Sequence, residues 1–205
     1  MLKAFLFDLD GTIWDSQKAT VHALKEVIGN EKSIKPKEKT LTKLVTTKTP
    51  LQILNSYGIN NHNVFWREYR KNYDLVTTFF ADTYSVLKKM LDCRKKLGIV
   101  TSLKKTIAME LLDRLELSSL FSVIITPSDT SARKPNPRPV LIAIRRLKVS
   151  ETETIYVGDQ EIDIVAAEKA GCYSGLAEWG KCSDISAIPD FRFGKIGDIL
   201  ALCEE

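Results

Sequence analysis

The sequence predicts an α/β fold, a parallel sheet with helices on both faces, interrupted early by a small helical module. Three observations predict it. From residue 82 onward, short aliphatic runs alternate with amphipathic stretches, the pattern of parallel strands joined by helical crossovers. Between residues 15 and 77 no strand signal appears. The first apolar run, within Leu2–Phe7, reads as a strand buried on both faces and therefore central to the sheet.

The elements follow in order. Ser16 is a candidate N-cap, and Val21, Leu24, Val27 and Ile28 keep helical spacing up to Gly29. Pro36 and Glu38 open a second helix that Leu41–Val45 continues. Thr49 caps a third with Pro50 in its first turn, ending near Tyr57-Gly58. Asn63–Tyr73 is a fourth, with aromatics among charges that read as packing. Beyond this module, Asp82–Lys96 reads as a helix and Leu97–Thr101 as a strand. Lys104–Leu117 is amphipathic, with Ile107, Leu111, Leu112 and Leu115 on one stripe. Then come a strand at Ser122–Thr126, a helix at Pro139–Leu147, a strand at Thr154–Val157 and a helix at Ile162–Ala170 closed by Gly171. Cys172–Leu176 and Phe191–Phe193 are short late strands. The boundaries are a sheet domain of residues 1–14 and 78–205 and a helical insert of residues 15–77.

Composition narrows the function classes. A chain of 205 residues, 44% apolar and 27% charged, can bury a full core as one domain with a modest insert. No apolar run approaches the roughly 18 residues that span a bilayer, and acidic residues interrupt the first apolar run at once, unlike a secretory leader. The expectation is a cytoplasmic protein without a membrane partner, monomeric or homodimeric. Cys93, Cys172, Cys182 and Cys203 show no CxxC spacing and read as reduced thiols. His22 and His62 do not join them at zinc-ligand spacing. A net charge of +4 is too small to argue for nucleic acid. Its distribution is uneven: Asp15–Tyr73 holds eleven Lys/Arg and five Asp/Glu, giving +6, so the remainder carries −2. A basic segment beside an acidic strand end would attract an anionic substrate, and it equally describes a solvated helical surface.

The chemistry gathers where strands end. Asp8-Leu9-Asp10-Gly11-Thr12 follows the first strand, with two carboxylates two residues apart, a glycine for a sharp turn and a small hydroxyl. Such oxygens converging on one point suit a hard cation such as Mg²⁺. The second strand ends in Thr101-Ser102, two hydroxyls ahead of a helix N-terminus, where anions are favoured. After the third come Lys134 and the prolines Pro135, Pro137 and Pro139, which stiffen the chain around one positive charge. The fourth ends in Gly158 and Asp159, with Asp163 four residues on at a helix start. Each alone also reads as an ordinary turn, cap or surface loop. Together, in order and at one edge of consecutive strands, they converge on phosphate and metal chemistry.

FDLDGTIWDS (Phe7–Ser16), GIVTS (Gly98–Ser102), RKPNPRP (Arg133–Pro139) and YVGDQEIDIVAAEKAG (Tyr156–Gly171) resemble the motifs of the haloacid dehalogenase superfamily, most closely its phosphoglycolate phosphatase-like branch. The resemblance implies a Rossmann-like doubly wound core with an inserted all-helical cap, and a Mg²⁺-dependent phosphatase acting on a small phosphorylated metabolite. It implies Asp8 as nucleophile, forming an aspartyl-phosphate, and Asp10 as the acid and base. It further implies Mg²⁺ on Asp8, the Asp10 carbonyl and Asp159; Thr101, Ser102 and Lys134 on the phosphoryl oxygens; and Gly11, Thr12, Gly158 and Asp163 in support. Dehalogenases lack the second Asp, so Asp10 points to phosphoryl chemistry. A phosphomutase, a pyrophosphatase of the same superfamily or a non-catalytic phospho-ligand module are the alternatives. Three positions depart from the branch: Ser102 where Asn is common, Gln160 where a small hydroxyl is frequent, and Trp14, bulkier than the usual aliphatic residue and read as hinge packing or substrate contact.

Overall fold

A six-stranded, wholly parallel sheet organises the structure, a computed structural model that describes residues 1–71, 80–180 and 185–203. The strands are β1 (Ala4–Phe7), β2 (Lys96–Val100), β3 (Val123–Ile125), β4 (Thr154–Gly158), β5 (Tyr173–Ala177) and β6 (Phe191–Phe193), in the spatial order β3-β2-β1-β4-β5-β6. From β1 the chain steps outward to β2 and β3, then crosses back to β4 on the other side of β1. The strand order therefore reverses between β1 and β4, and in open α/β sheets ligands bind outside the carboxyl ends at such a reversal.

β1 sits between β2 and β4, and its four residues are all fully buried. Ala4 and Leu6 join Val100, Ile125, Val140, Ile144, Tyr156 and Ala167 in one apolar cluster. Those residues come from the strands and from α7 (Arg138–Leu147) and α8 (Glu161–Ala170). Phe5 and Phe7 point by alternation to the opposite face and are equally shielded. A sheet covered on both sides explains the unbroken apolar run in the sequence.

The chain divides into two compact units, Met1–Trp14 with Phe79–Glu205, and Asp15–Thr78. The second is helical: α1 (Gln17–Lys32), α2 (Glu38–Leu44), α3 (Pro50–Ser56) and α4 (Asn63–Lys71). Its core draws on Leu24, Ile28, Leu41, Ile53, Leu54, Phe65 and Tyr69. α3 begins with a capping box in which Thr49 Oγ1 accepts from Gln52 N and Gln52 Oε1 accepts from Thr49 N.

Several boundaries differ from the sequence reading. α1 runs past Gly29 to Lys32 and stops where Ser33 turns left-handed at φ 54°. Ser16 stands at the N-cap of α1 without a side-chain cap bond. α5 (Thr83–Asp92) ends four residues before Lys96, because Arg94 adopts φ 58° and breaks the helical path. α6 (Lys105–Arg114) likewise stops short, with Glu116 at φ 56°, which leaves Leu115 half-buried rather than on the apolar stripe. A 3₁₀-helix at Ile196–Leu202 has no counterpart in the sequence reading. Cys93 and Cys172 are free thiols, whereas Cys182 and the end of the fourth predicted helix at Tyr73 lie outside the described residues. Among the described residues no helix is long and apolar enough to cross a membrane.

The central strand sets the stability of the sheet unit. Leu6→Ala, which empties a fully buried site, is expected to cost about 2–5 kcal/mol in urea unfolding.

Candidate active site

Asp8 follows β1 directly, its backbone N–H still donating to Val157 O of β4 at 2.9 Å. This extension of the ladder holds the first carboxylate at the strand end. Asp159 follows β4, and Asp163 sits in the first turn of α8, where its Oδ2 accepts from Gln160 N at 3.1 Å. All three are buried, and one carboxylate oxygen of each lies within 4.8 Å of the others.

Among the described residues, one cation meets this cluster. Lys134 Nζ lies 2.9 Å from Asp8 Oδ1 and 2.6 Å from Asp163 Oδ1, and it donates to Tyr156 Oη at 2.9 Å. An ammonium has three protons, and here three acceptors face them. The Tyr156 hydroxyl in turn lies 2.9 Å from Val100 O and 3.0 Å from Asp163 Oδ1, so it ties the lysine to the last residue of β2. Tyr156 is a site residue that the sequence reading left inside its strand, since a tyrosine in an apolar run carries no mark of a polar role.

The electrostatics follow from three acids facing one base. Burial pushes the Asp8 carboxyl up to about 7; Lys134 pulls against this, while Asp163 and Asp10 add to it. Burial, then the charges of Asp163 and Asp8, push Asp159 well above the ordinary carboxylate range. Burial also opposes the charged form of Lys134, but Asp163 and Asp8 outweigh it and hold the ammonium above the usual lysine range. Among the described residues, Asp159 Oδ1 and Thr12 Oγ1 are buried polar atoms without a hydrogen-bond partner. An all-oxygen donor set with an unpartnered buried carboxylate oxygen is one that a hard metal ion fits, because the ion supplies the missing positive charge.

The loops that carry these groups are closely interlocked. Gly11 adopts φ 82°, and a Cβ there would lie 2.2 Å from Asp159 Oδ2. A Cβ on Gly158 would lie 2.4 Å from the Asp163 side chain. After β5, Trp179 Nε1 donates to Thr12 O at 2.9 Å, and a Cβ on Gly180 would strike Gly11 O at 2.2 Å. Trp179-Gly180 thus braces the Asp8–Thr12 loop from a third strand end, a contact no local pattern signals. Asp10 stands apart from the three-acid cluster: its Oδ1 accepts from Trp14 Nε1 at 2.9 Å. Thr101 is buried after β2, with Oγ1 accepting from Leu103 N at 3.1 Å. Thr101, exposed Ser102, Thr130, Arg133 and Lys134 line a small cleft of about 10 Å³. A larger hollow of about 220 Å³, lined by Lys89, Asp92, Cys93, Leu200 and Cys203, contains none of these strand-end groups.

With this geometry in hand, comparison with known proteins is informative. Residues 5–177 match the family model of haloacid dehalogenase-like hydrolases. The chain belongs to that family. It is 33% identical to a candidate pyrophosphatase PpaX of Clostridium perfringens, with 100% of this chain and 99% of the relative covered. It is 28% identical to a phosphoglycolate phosphatase of Aquifex aeolicus, covering 99% and 97%. The crystal structure of a candidate phosphoglycolate phosphatase from Lactobacillus plantarum superposes with a TM-score of 0.86 at 27% identity, covering 98% of this chain and 99% of that one. This hydrolase therefore has phosphatase-named relatives along its whole length.

The charge excess makes stability depend on pH and cation. Asp8 titrates near 7 when folded but near 3.8 as a free carboxyl, and Asp159 shifts in the same direction. The unfolded chain therefore sheds these protons first, and cation-free protein is expected to lose stability as pH rises from about 4 to 7. Lys134, shifted upward, holds its proton throughout that window. Differential scanning calorimetry should show the fall, and added Mg²⁺ at pH 7.5 should reverse it. Asp159→Asn should raise the cation-free melting temperature at pH 7.5, by about 2–4 °C per kcal/mol of relieved repulsion, and abolish the Mg²⁺ effect.

Proposed function

We propose that this hydrolase is a Mg²⁺-dependent phosphatase of small phosphorylated metabolites, with Asp8 as its nucleophile. The observation that carries the reading is a buried Asp8 carboxylate held 2.9 Å from Lys134, beside two further buried acids. Asp8, Asp159 and the main-chain carbonyl of Asp10 would hold the ion, with Asp163 behind them. Bound there, Mg²⁺ would supply the charge that lets a carboxylate approach a phosphate.

The remaining work falls to side chains. Lys134 favours the ionised form of Asp8 against the effect of burial and fixes its orientation through Oδ1. Asp8 forms a bond to phosphorus as the leaving oxygen departs, giving an aspartyl-phosphate. Asp10 delivers its proton to that oxygen, then takes one from the water that cleaves the intermediate. The Thr101 hydroxyl already accepts from Leu103 N, so its own proton is left to donate to a phosphoryl oxygen, and Ser102 stands beside it. The helical unit, Asp15–Thr78, we assign the role of a cap that keeps bulk water from the phosphoryl group. Its Lys/Arg excess favours an anionic substrate. Free thiols at Cys93 and Cys172 fit a reducing, cytoplasmic setting.

The pyrophosphatase name of the Clostridium perfringens relative supports a second reading, hydrolysis of inorganic pyrophosphate. One panel separates the two: phosphate release from phosphoglycolate, sugar phosphates, an aryl phosphate and pyrophosphate, with Mg²⁺ and with EDTA. Release is expected from at least one phosphate ester, lost in EDTA and reduced more than about a thousandfold in Asp8→Asn. Release from pyrophosphate alone would favour the second reading. Turnover that survives Asp8→Asn would overturn both.

A further inference from the structure

Lys134 has no proton to spare for a substrate. Its ammonium carries three, and they face Asp8 Oδ1 at 2.9 Å, Asp163 Oδ1 at 2.6 Å and Tyr156 Oη at 2.9 Å. The lysine side chain is only 4% exposed, and Tyr156 is fully buried. Yet Lys134 lines the small cleft that Thr101 and Ser102 share, and the phosphatase reading sets all three on the phosphoryl oxygens. A phosphoryl oxygen that reaches Lys134 must displace one of its acceptors. The three are unequal. Asp8 and Asp163 accept as carboxylates, and hydrogen bonds between opposite charges are roughly twice as strong as neutral ones. Tyr156 is the neutral acceptor. Its own proton serves Val100 O at 2.9 Å and Asp163 Oδ1 at 3.0 Å, so the hydroxyl stays tied to β2 and α8 after the lysine turns away.

We propose that Tyr156 is a positioning residue that holds the third proton of Lys134 until a phosphoryl oxygen takes its place, and so keeps the grip on released phosphate loose. This rests on the phosphatase reading, with Lys134 on a phosphoryl oxygen. An arriving phosphate exchanges one hydrogen bond of the lysine for another, so the bond to Tyr156 that it breaks subtracts from its affinity. When phosphate departs, the tyrosine oxygen accepts again. No buried N–H of the ammonium is then stranded, which would otherwise oppose release. The hydroxyl acts on the phosphate only through Lys134.

Phosphate affinity tests the proposal. Tyr156→Phe removes the acceptor and leaves one proton of Lys134 buried without a partner, a defect that phosphate repairs on binding. The variant is therefore expected to bind inorganic phosphate about three- to tenfold more tightly than wild type. Melting temperature against phosphate concentration, in saturating Mg²⁺, yields both dissociation constants. Without phosphate the variant is expected to melt below wild type, so stability and affinity move in opposite directions. A hydroxyl that merely held the strands together would lower both. Weaker or unchanged phosphate binding by the variant, or no binding by either protein, would overturn the proposal. Should Tyr156→Phe fail to fold, replacing Tyr156 by 4-aminophenylalanine keeps the ring and a donor toward Val100 O, accepts poorly and carries the same expectations. Absence of Asp8-dependent release by wild type is a separate result, and it would overturn the phosphatase reading itself.

Discussion

Three buried carboxylates facing, among the described residues, a single ammonium where the strand order reverses is the condition on which the site depends. Asp8, Asp159 and Asp163 are each at most 6% exposed, and burial, with the neighbouring carboxylates added to it, raises the pKa of Asp8 and Asp159. Lys134 answers only part of this. It sits on Asp8 and Asp163, while an Asp159 oxygen stays without a partner. The upward shift of Asp8 and Asp159 and the fit to a hard cation are two expressions of the same imbalance.

The fold accommodates that imbalance by rigidity. β1 lies between two parallel neighbours, and the ladder continues one residue beyond it through Asp8 N. α8 starts where Asp163 can satisfy the Gln160 N–H with one oxygen and meet Lys134 with the other. Tyr156 runs from the apolar cluster to the lysine and the end of β2. Trp179-Gly180 then closes the loop after β1 from outside. Few of these contacts adjust independently, so the acids are held near one another instead of relaxing apart into solvent.

Much of the architecture was legible because its signals are local. Alternating apolar runs marked the strands, and Thr49-Pro50 and Gly171 marked helix ends through backbone chemistry that few other residues supply. The misread ends are equally instructive. Ser33, Arg94 and Glu116 take left-handed conformations with ordinary, exposed side chains, which composition does not announce. Gly29, by contrast, stays inside α1, since its neighbours Leu24 and Ile28 are buried in the helical unit. Trp14 was open between hinge packing and substrate contact. It is buried and hydrogen-bonded to Asp10, a pairing four residues apart that the spacing permitted without requiring.

By itself the sequence determined the α/β class, the order of the strands along the chain, the helical insert and the kinds of side chain at each strand end. These depend on periodicity and on residue chemistry, both local properties. Only the tertiary structure decided that Lys134 spends its three protons on Asp8, Asp163 and Tyr156, that Asp10 faces Trp14, and that the loop after β5 braces the loop after β1. Those pairings join residues as far as 167 positions apart. Apart from Asp10–Trp14, which lies within one loop, they follow from strand order and crossover geometry, which place distant loops at a single sheet edge, and no spacing along the chain encodes that edge.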